Sequence, residues 1–322
     1  MPVLNPHPNQ TSDLPPALGT DPATVPVPKP SSSRRSTRAF PACANPRCAS
    51  GWLQLWRQRR VPVVEGGWLC SPACTRARVE DLLRREYAGA GPVPPHRHRV
   101  PIGLVLLTQG WITHQHLKEG LEAQRNAARA DPGSGMRLGE WLVAHRGLNE
   151  ARLTHALGLQ WSCPVFSLER HGDNLPVTII PRLLSESFGF VPLRLTSSGM
   201  LYLAFEDRID HSLALAIERM TSLRVESGLL STTEFAEAHR RLSEGRFAPA
   251  RMIEAASVDL LAEAFSRLIE KEKPAEARLV RVRDLLWLRL WRKAEEIVPA
   301  SASGSRVEDV IGAVTQFTCD IS

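Results

Sequence analysis

The sequence predicts a multidomain α+β protein: a small four-cysteine finger, a helical-repeat plus α/β domain, and a short α+β segment at the C-terminal end. Three observations predict it. Four cysteines fall in two close pairs, residues 99 to about 245 hold an internal near-repeat, and apolar alternation from 189 to 205 reads as a β-hairpin. These features divide the chain into 1–40 (a Pro/Ser-rich tail), 41–88 (the finger), 89–98 (a linker), 99–246 (the repeat-bearing domain) and 247–322 (a helix plus β-hairpin).

At 322 residues, 43% hydrophobic and 23% charged, the chain has room for two or three soluble domains. The net charge of +6 comes from 40 Lys+Arg against 34 Asp+Glu, too mild on its own to argue for nucleic acid. No run approaches the 18 apolar residues of a membrane span, and no basic-then-apolar leader opens the chain. A cytoplasmic location without membrane insertion is therefore expected. Residues 1–40 carry repeated prolines, Ser31 to Ser33 and few large apolar side chains, so they are expected to be disordered. The run from Ala88 to Pro95 reads as a Pro/Gly linker.

The cysteines come first in chain order. Cys43 and Cys48, then Cys70 and Cys74, have the spacing of two short turns that each set two thiolates on one side of an ion. Four sulfurs close a tetrahedral site, which makes structural zinc the expected cofactor; disulfides or unligated core cysteines are the alternatives. Gly66 to Leu69 reads as a short strand, and Thr75 to Tyr87 as a helix with Val79, Leu82 and Leu83 on one face. That order resembles a treble-clef finger, whose second cysteine pair sits at a helix N-terminus that favours thiolate. Cys163 and Cys319 lack partners at metal spacing and read as ordinary buried thiols.

The repeat comes next. Its first unit reads Pro101-Ile102-Gly103, Leu106, Gly110, Leu117, Leu121 and Gln124; the second reads Arg137-Leu138-Gly139, Leu142, Gly147, Leu153, Leu157 and Gln160. Each fits a helix, a glycine turn and a second helix. This pattern resembles the MshEN-type N-terminal domain of type II secretion and type IV pilus assembly ATPases. The likeness continues through Cys163 to Phe166 as a strand, Ile180 to Leu184 as a helix start, Phe190 to Leu193 and Leu201 to Asp207 as strands, and Thr221 to Val225 as a helix-to-strand passage. Read from the residues, the hairpin turns at Ser197 to Gly199, and 208–220 and 232–242 are amphipathic helices.

The resemblance implies a cyclic di-GMP site, which many members of that family form from the two repeats. Carried over by position, Ile102, Gly103, Leu106, Gly110, Leu117, Leu121 and Gln124 serve one half-site. Arg137, Leu138, Gly139, Leu142, Leu153, Leu157 and Gln160 serve the other. An arginine can pair with a guanine edge and stack on its face, and glycines let backbone N–H groups approach phosphate. Two positions depart from the pattern. Pro101 stands where the first arginine belongs, with Arg99 nearby, and Arg146 stands where the second glycine belongs, with Gly147 one place late. Losing one bidentate contact costs about 1 to 3 kcal/mol. The alternative is a helical-hairpin scaffold whose nucleotide site has decayed. Secretion or pilus machinery proteins are the partners the resemblance implies.

In the last segment, Ser257 to Lys271 forms a helical face of Leu261, Phe265, Leu268 and Ile269, and Arg278 to Arg292 alternates as two strands about Asp284. The order resembles the start of the domain that follows in secretion ATPases, as a truncated continuation. No lysine has the glycine before it and the Ser or Thr after it that a phosphate-binding loop needs, and no G-x-S-x-G or H-E-x-x-H occurs. A non-enzymatic adaptor or regulator is expected. Nucleic-acid binding by the finger is the competing class. Arg34, Arg35, Arg38, Arg47, Arg57, Arg59 and Arg60, with Trp52 and Trp56 between them, could supply a basic stacking face, or the tryptophans could be the finger's core.

Overall fold

The computed structural model describes residues 43–49, 62–89, 99–130, 137–171, 175–292 and 307–315. The expected tail 1–40, most of the 89–98 linker, Cys319 and all the basic and tryptophan positions of the nucleic-acid hypothesis except Arg47 lie outside them. Among the described residues, no helix is long and apolar enough to cross a membrane.

Strands β1 (Val63–Val64) and β2 (Gly67–Trp68) form a tight antiparallel hairpin. Helix α1 (Pro72–Ala88) follows, starting earlier than its apolar period suggests. Ser71 caps it by accepting from the Cys74 N–H, and Pro72 is tolerated in the first turn because its missing N–H has no partner to lose there. The repeat folds as α2 (Ile102–Thr108), α3 (His114–Ala130), α4 (Leu138–Arg146) and α5 (Glu150–Trp161). Their core gathers Val105, Leu106, Ile112, Leu138, Leu142, Leu148 and Ala156.

A short α6 (Leu168–His171) and α7 (Arg182–Phe188) lead into β3 (Phe190–Leu195), β4 (Met200–Phe205), α8 (His211–Thr221), β5 (Arg224–Leu229) and α9 (Thr232–Glu244). These strands make a sheet in the order β3-β4-β5, antiparallel then parallel. The strand expected at Cys163 to Phe166 is instead a single parallel bridge, Val165 to Leu229. Pro164 has no N–H to extend a ladder, and only its carbonyl is used, accepting from Leu229 N.

The chain continues through β6 (Ala250–Ala255), α10 (Val258–Glu272), β7 (Glu276–Val282), β8 (Leu285–Trp291) and β9 (Val307–Val314). The expected helix and the hairpin about Asp284 are present; β6 and β9 are additions to that expectation. They belong to a six-stranded sheet in the order β2-β1-β7-β8-β9-β6. The first two strands of that sheet come from the finger.

The central strands β7, β8 and β9 of this sheet are buried on both faces. One face packs Leu279, Leu286, Leu288 and Leu290 against α1 (Val79, Leu82, Leu83) and α10 (Leu261, Phe265, Leu268, Ile269). The other sets Val280, Val282, Trp287 and Ile311 against Ile217 and Met220 of α8, with Phe190, Leu201 and Leu203 of the smaller sheet in the same cluster. Helix α8 thus lies between two sheets. The far face of the smaller sheet is covered by Ala238 and Leu242 of α9.

Candidate functional site

The four finger cysteines converge. The sulfurs of Cys43, Cys48, Cys70 and Cys74 all lie within 4.8 Å of one another. Cys70 is 3.5 Å from both Cys48 and Cys74. Four thiolates about 2.3 Å from one zinc ion stand about 3.8 Å apart at the corners of a tetrahedron, so the set fits that ion with little adjustment. Local structure delivers each ligand. Cys43 and Cys48 flank a turn in which Asn45 accepts from the Arg47 N–H and donates to the Cys74 sulfur at 3.3 Å. Cys74 sits in the first turn of α1, where unpaired backbone N–H groups favour negative charge. Burial pushes the Cys43 thiol up to about 12, so without a cation this pocket holds a protonated thiol. A thiol in that state must lose its proton to ligate. No disulfide joins the quartet.

The finger is fastened to the C-terminal sheet. Strand β1 pairs with β7 in parallel, with Val64 opposite Ala277; Glu65 N donates to Ala277 O at 2.8 Å and Val63 N to Pro274 O at 3.2 Å. Gly66 N donates to both carboxylate oxygens of Glu276, at 3.0 and 3.2 Å. Thr75 of α1 hydrogen-bonds Glu270 of α10. In the last turn of α1, Glu86 accepts from Arg219 at 2.8 Å and from the Arg281 N–H at 3.1 Å. Burial alone would raise the Glu86 pKa, but the hydrogen bonds from Arg219, Arg281 and Arg85 outweigh it and hold it below the usual carboxylate range. None of these partners carries a sequence signal, because each depends on a contact between distant segments.

The repeat residues fall into two groups. Leu106 and Leu142 are fully buried, Leu138 is buried, and Ile102, Leu117, Leu121 and Leu153 pack around them, so these leucines are the core of the four helices. Leu157 turns instead toward the core beneath α8. Gly103 and Gly139 occupy equivalent positions and do the same work. A Cβ on Gly103 would come within 2.6 Å of Leu117, and one on Gly139 within 2.8 Å of Leu153, so each glycine lets the two helices of its own repeat approach. Gly110 and Gly147 both adopt a left-handed conformation, φ +67° and +63°, with open space where a side chain would be. The displaced glycine of the second unit is absorbed by a longer α4, and the second helices still begin at equivalent positions, His114 and Glu150.

The polar positions are exposed or half-buried. Arg137 is the N-cap residue of α4, and Pro101 holds the equivalent place before α2. The Arg137 guanidinium pairs with Glu140 of its own helix and with Asp207, just beyond β4; Glu206 is 3.9 Å away. The hydrogen bond that Arg137 donates to the Glu140 carboxylate is the main reason its pKa is raised. Gln160 donates to Val100 O at 2.7 Å, and Arg99 stacks on Trp161. Gln124 is half-buried on α3. Glu206 and Asp207, at the end of the segment expected as a strand, lie just past β4 and contact Arg137. Burial raises the half-buried Cys163 thiol to about 11.

Fold and site together define an α+β protein whose paired helical repeats are joined to a six-stranded sheet completed by a four-cysteine finger. It is similar to the structure of MshE with cdg, at 23% identity and a TM-score of 0.37, over 45% of this chain and 99% of that one. It is also similar to the structure of the N-terminal domain of XpsE, at 20% identity and a TM-score of 0.31, over 44% of this chain and 92% of that one. No protein-family model matches the chain. No curated protein matches it either.

Proposed function

We propose that the chain is a non-catalytic cytoplasmic adaptor or regulator built on an MshEN-type domain, that its repeats bind cyclic di-GMP, and that its cysteine quartet holds structural zinc. One observation carries the nucleotide reading: the second of two units that fold alike holds an arginine, about half exposed, at its helix N-cap, with the guanidinium drawn to Glu140 and Asp207. A guanidinium next to the N-terminal turn of α4 offers a guanine edge two donors and a phosphate a favourable dipole. Zinc is supported by the donor set and the sulfur separations. Partners in secretion or pilus machinery follow from the family resemblance.

A scaffold without ligand is the second reading, and specific contacts favour it. The glycines at 103 and 139 face leucines, and Gln160 is engaged with Val100. Titration calorimetry of cyclic di-GMP into the full chain separates the two. Saturable binding that weakens by about one to two decades in Arg137→Ala supports the nucleotide site. Absence of heat at high micromolar ligand leaves the scaffold.

A further inference from the structure

The finger does more than stand beside the C-terminal sheet: it covers that sheet's β7 edge. A strand edge left open presents unpaired N–H and C=O groups, and proteins cover such edges. Along β7 the cover has two parts. The hairpin β1–β2 takes the first part through Glu65 N to Ala277 O, Val63 N to Pro274 O and Gly66 N to Glu276. Glu86 of α1 takes the second by accepting from Arg281 N.

The two parts are held unequally. Helix α1 is fixed by apolar burial: Val79, Leu82 and Leu83 are at most 1% exposed against α10 and the sheet. The hairpin has strands of two residues each, too short to persist alone. Of its side-chain anchors Glu276 is buried, but the Glu65 ion pairs face a cleft of about 520 Å³ lined by Glu65, Arg85, Arg219 and Arg278, and exposed ion pairs contribute little. Beyond Val64 and Leu69, which share the core of α1, what ties the hairpin region to that helix is the quartet. Cys43 and Cys48 sit in the turn whose Ala44 N–H donates to Trp68 O of β2 at 2.9 Å, and Cys70 and Cys74 bracket the start of α1.

We infer that the quartet is a metal-dependent latch: bound metal holds β1–β2 over the outer edge of β7, and loss of the metal uncovers that edge while α1 stays docked. The inference rests on the metal reading of the quartet. Hydrogen–deuterium exchange on the full chain tests it, after elemental analysis and before and after stripping with a chelator under reducing conditions. The expected result is exchange at least about tenfold faster in 62–70 and at the start of β7, with α1, α10 and β8 still protected and zinc ions restoring the original pattern. Unchanged protection at 274–278 overturns the latch, and so does loss of protection across 72–88 or across α10 and β8. A chain that binds no metal removes the metal reading itself. A chain that binds metal yet shows no edge response removes the latch alone.

Discussion

Asp309→Ala is the sharpest test of what joins the C-terminal sheet to the rest of the molecule. The Asp309 carboxylate on β9 accepts from Trp287 Nε1 at 2.7 Å, Arg289 Nε at 2.7 Å and a second Arg289 nitrogen at 2.8 Å. Arg289 reaches on to Ile179 O at 2.7 Å, outside the sheet. The two charged side chains are 6% and 1% exposed, so neither can turn to water. Deleting the carboxylate strands a buried guanidinium and an indole N–H, which costs about 3 to 5 kcal/mol. That is a large part of the roughly 5 to 15 kcal/mol that holds a typical domain. At about 2 to 4 °C per kcal/mol for folded units of about 150 to 250 residues, and less for a larger one, the thermal midpoint should fall by up to about 6 to 20 °C. Urea unfolding followed by tryptophan fluorescence measures the cost of Asp309→Ala, beside a double-mutant cycle of Asp309→Leu, Arg289→Met and the pair Arg289→Met/Asp309→Leu. The pair should recover most of the loss, because apolar replacements remove both desolvation costs at once. A cost below about 1 kcal/mol for Asp309→Ala, or a pair as costly as the sum of its singles, would refute the reasoning.

Two further predictions follow from the carboxylates. Burial raises Glu276 above the usual carboxylate range, and the bonds from Arg219 and Arg281 place Glu86 below it. A carboxyl with a raised folded pKa loses stability as pH climbs through its unfolded value toward its folded one; a carboxyl with a lowered pKa loses its contribution as pH falls through its folded value. Glu276→Gln should therefore raise the melting temperature at neutral pH and Glu86→Gln should lower it, each difference shrinking in acid. Equal effects of the same sign at neutral pH would show that burial and pairing have been assigned the wrong way round. Asp207→Asn frees one partner of Arg137 and, because an exposed pair contributes about 0 to 1 kcal/mol, should tighten cyclic di-GMP binding by no more than about fivefold. Weaker binding in calorimetry would mean that the carboxylate itself contacts the ligand.

What the sequence made legible was local. The quartet is readable because ligand spacing is a property of two short turns, and Val79, Leu82 and Leu83 because helical period marks a buried face. The hairpin about Asp284 shows its alternation directly. Strand β6 was not legible: Arg251, Met252 and Glu254 of its six residues are exposed, so it has no clean apolar period, and its partner β9 lies far along the chain. At Val165 the family resemblance implies a strand where the structure has a single bridge: Pro164 lacks a donor, and the segment presses so close on Gly228 that a Cβ there would meet Phe166 at 2.5 Å. In the repeat the helices were legible but the roles of the glycines were not. A glycine kept for close helix packing and one kept for a phosphate look the same in sequence.

The β1–β7 pairing changes how the finger itself should be understood. A finger that binds nucleic acid needs a face of uncommitted cations. Among the described residues of α1, Arg76 pairs with Glu80, Arg84 with Asp81 and Arg85 with Glu65, while the apolar face is closed against α10. Glu86 draws in Arg219 from α8. These charges are neutralised within the molecule, so the described surface of the helix offers phosphate little to bind. The same contacts give the finger a different job. Through β1 and Glu86 it closes one edge of the sheet whose other face rests on α8, and α8 in turn packs beneath the sheet that β4 shares. Arg137 reaches Asp207 at the end of that strand. The cysteine quartet and the repeat are therefore linked by continuous packing through α1, β7, α8 and β4, which supports the finger as a structural and docking element of the same body that carries the candidate nucleotide site.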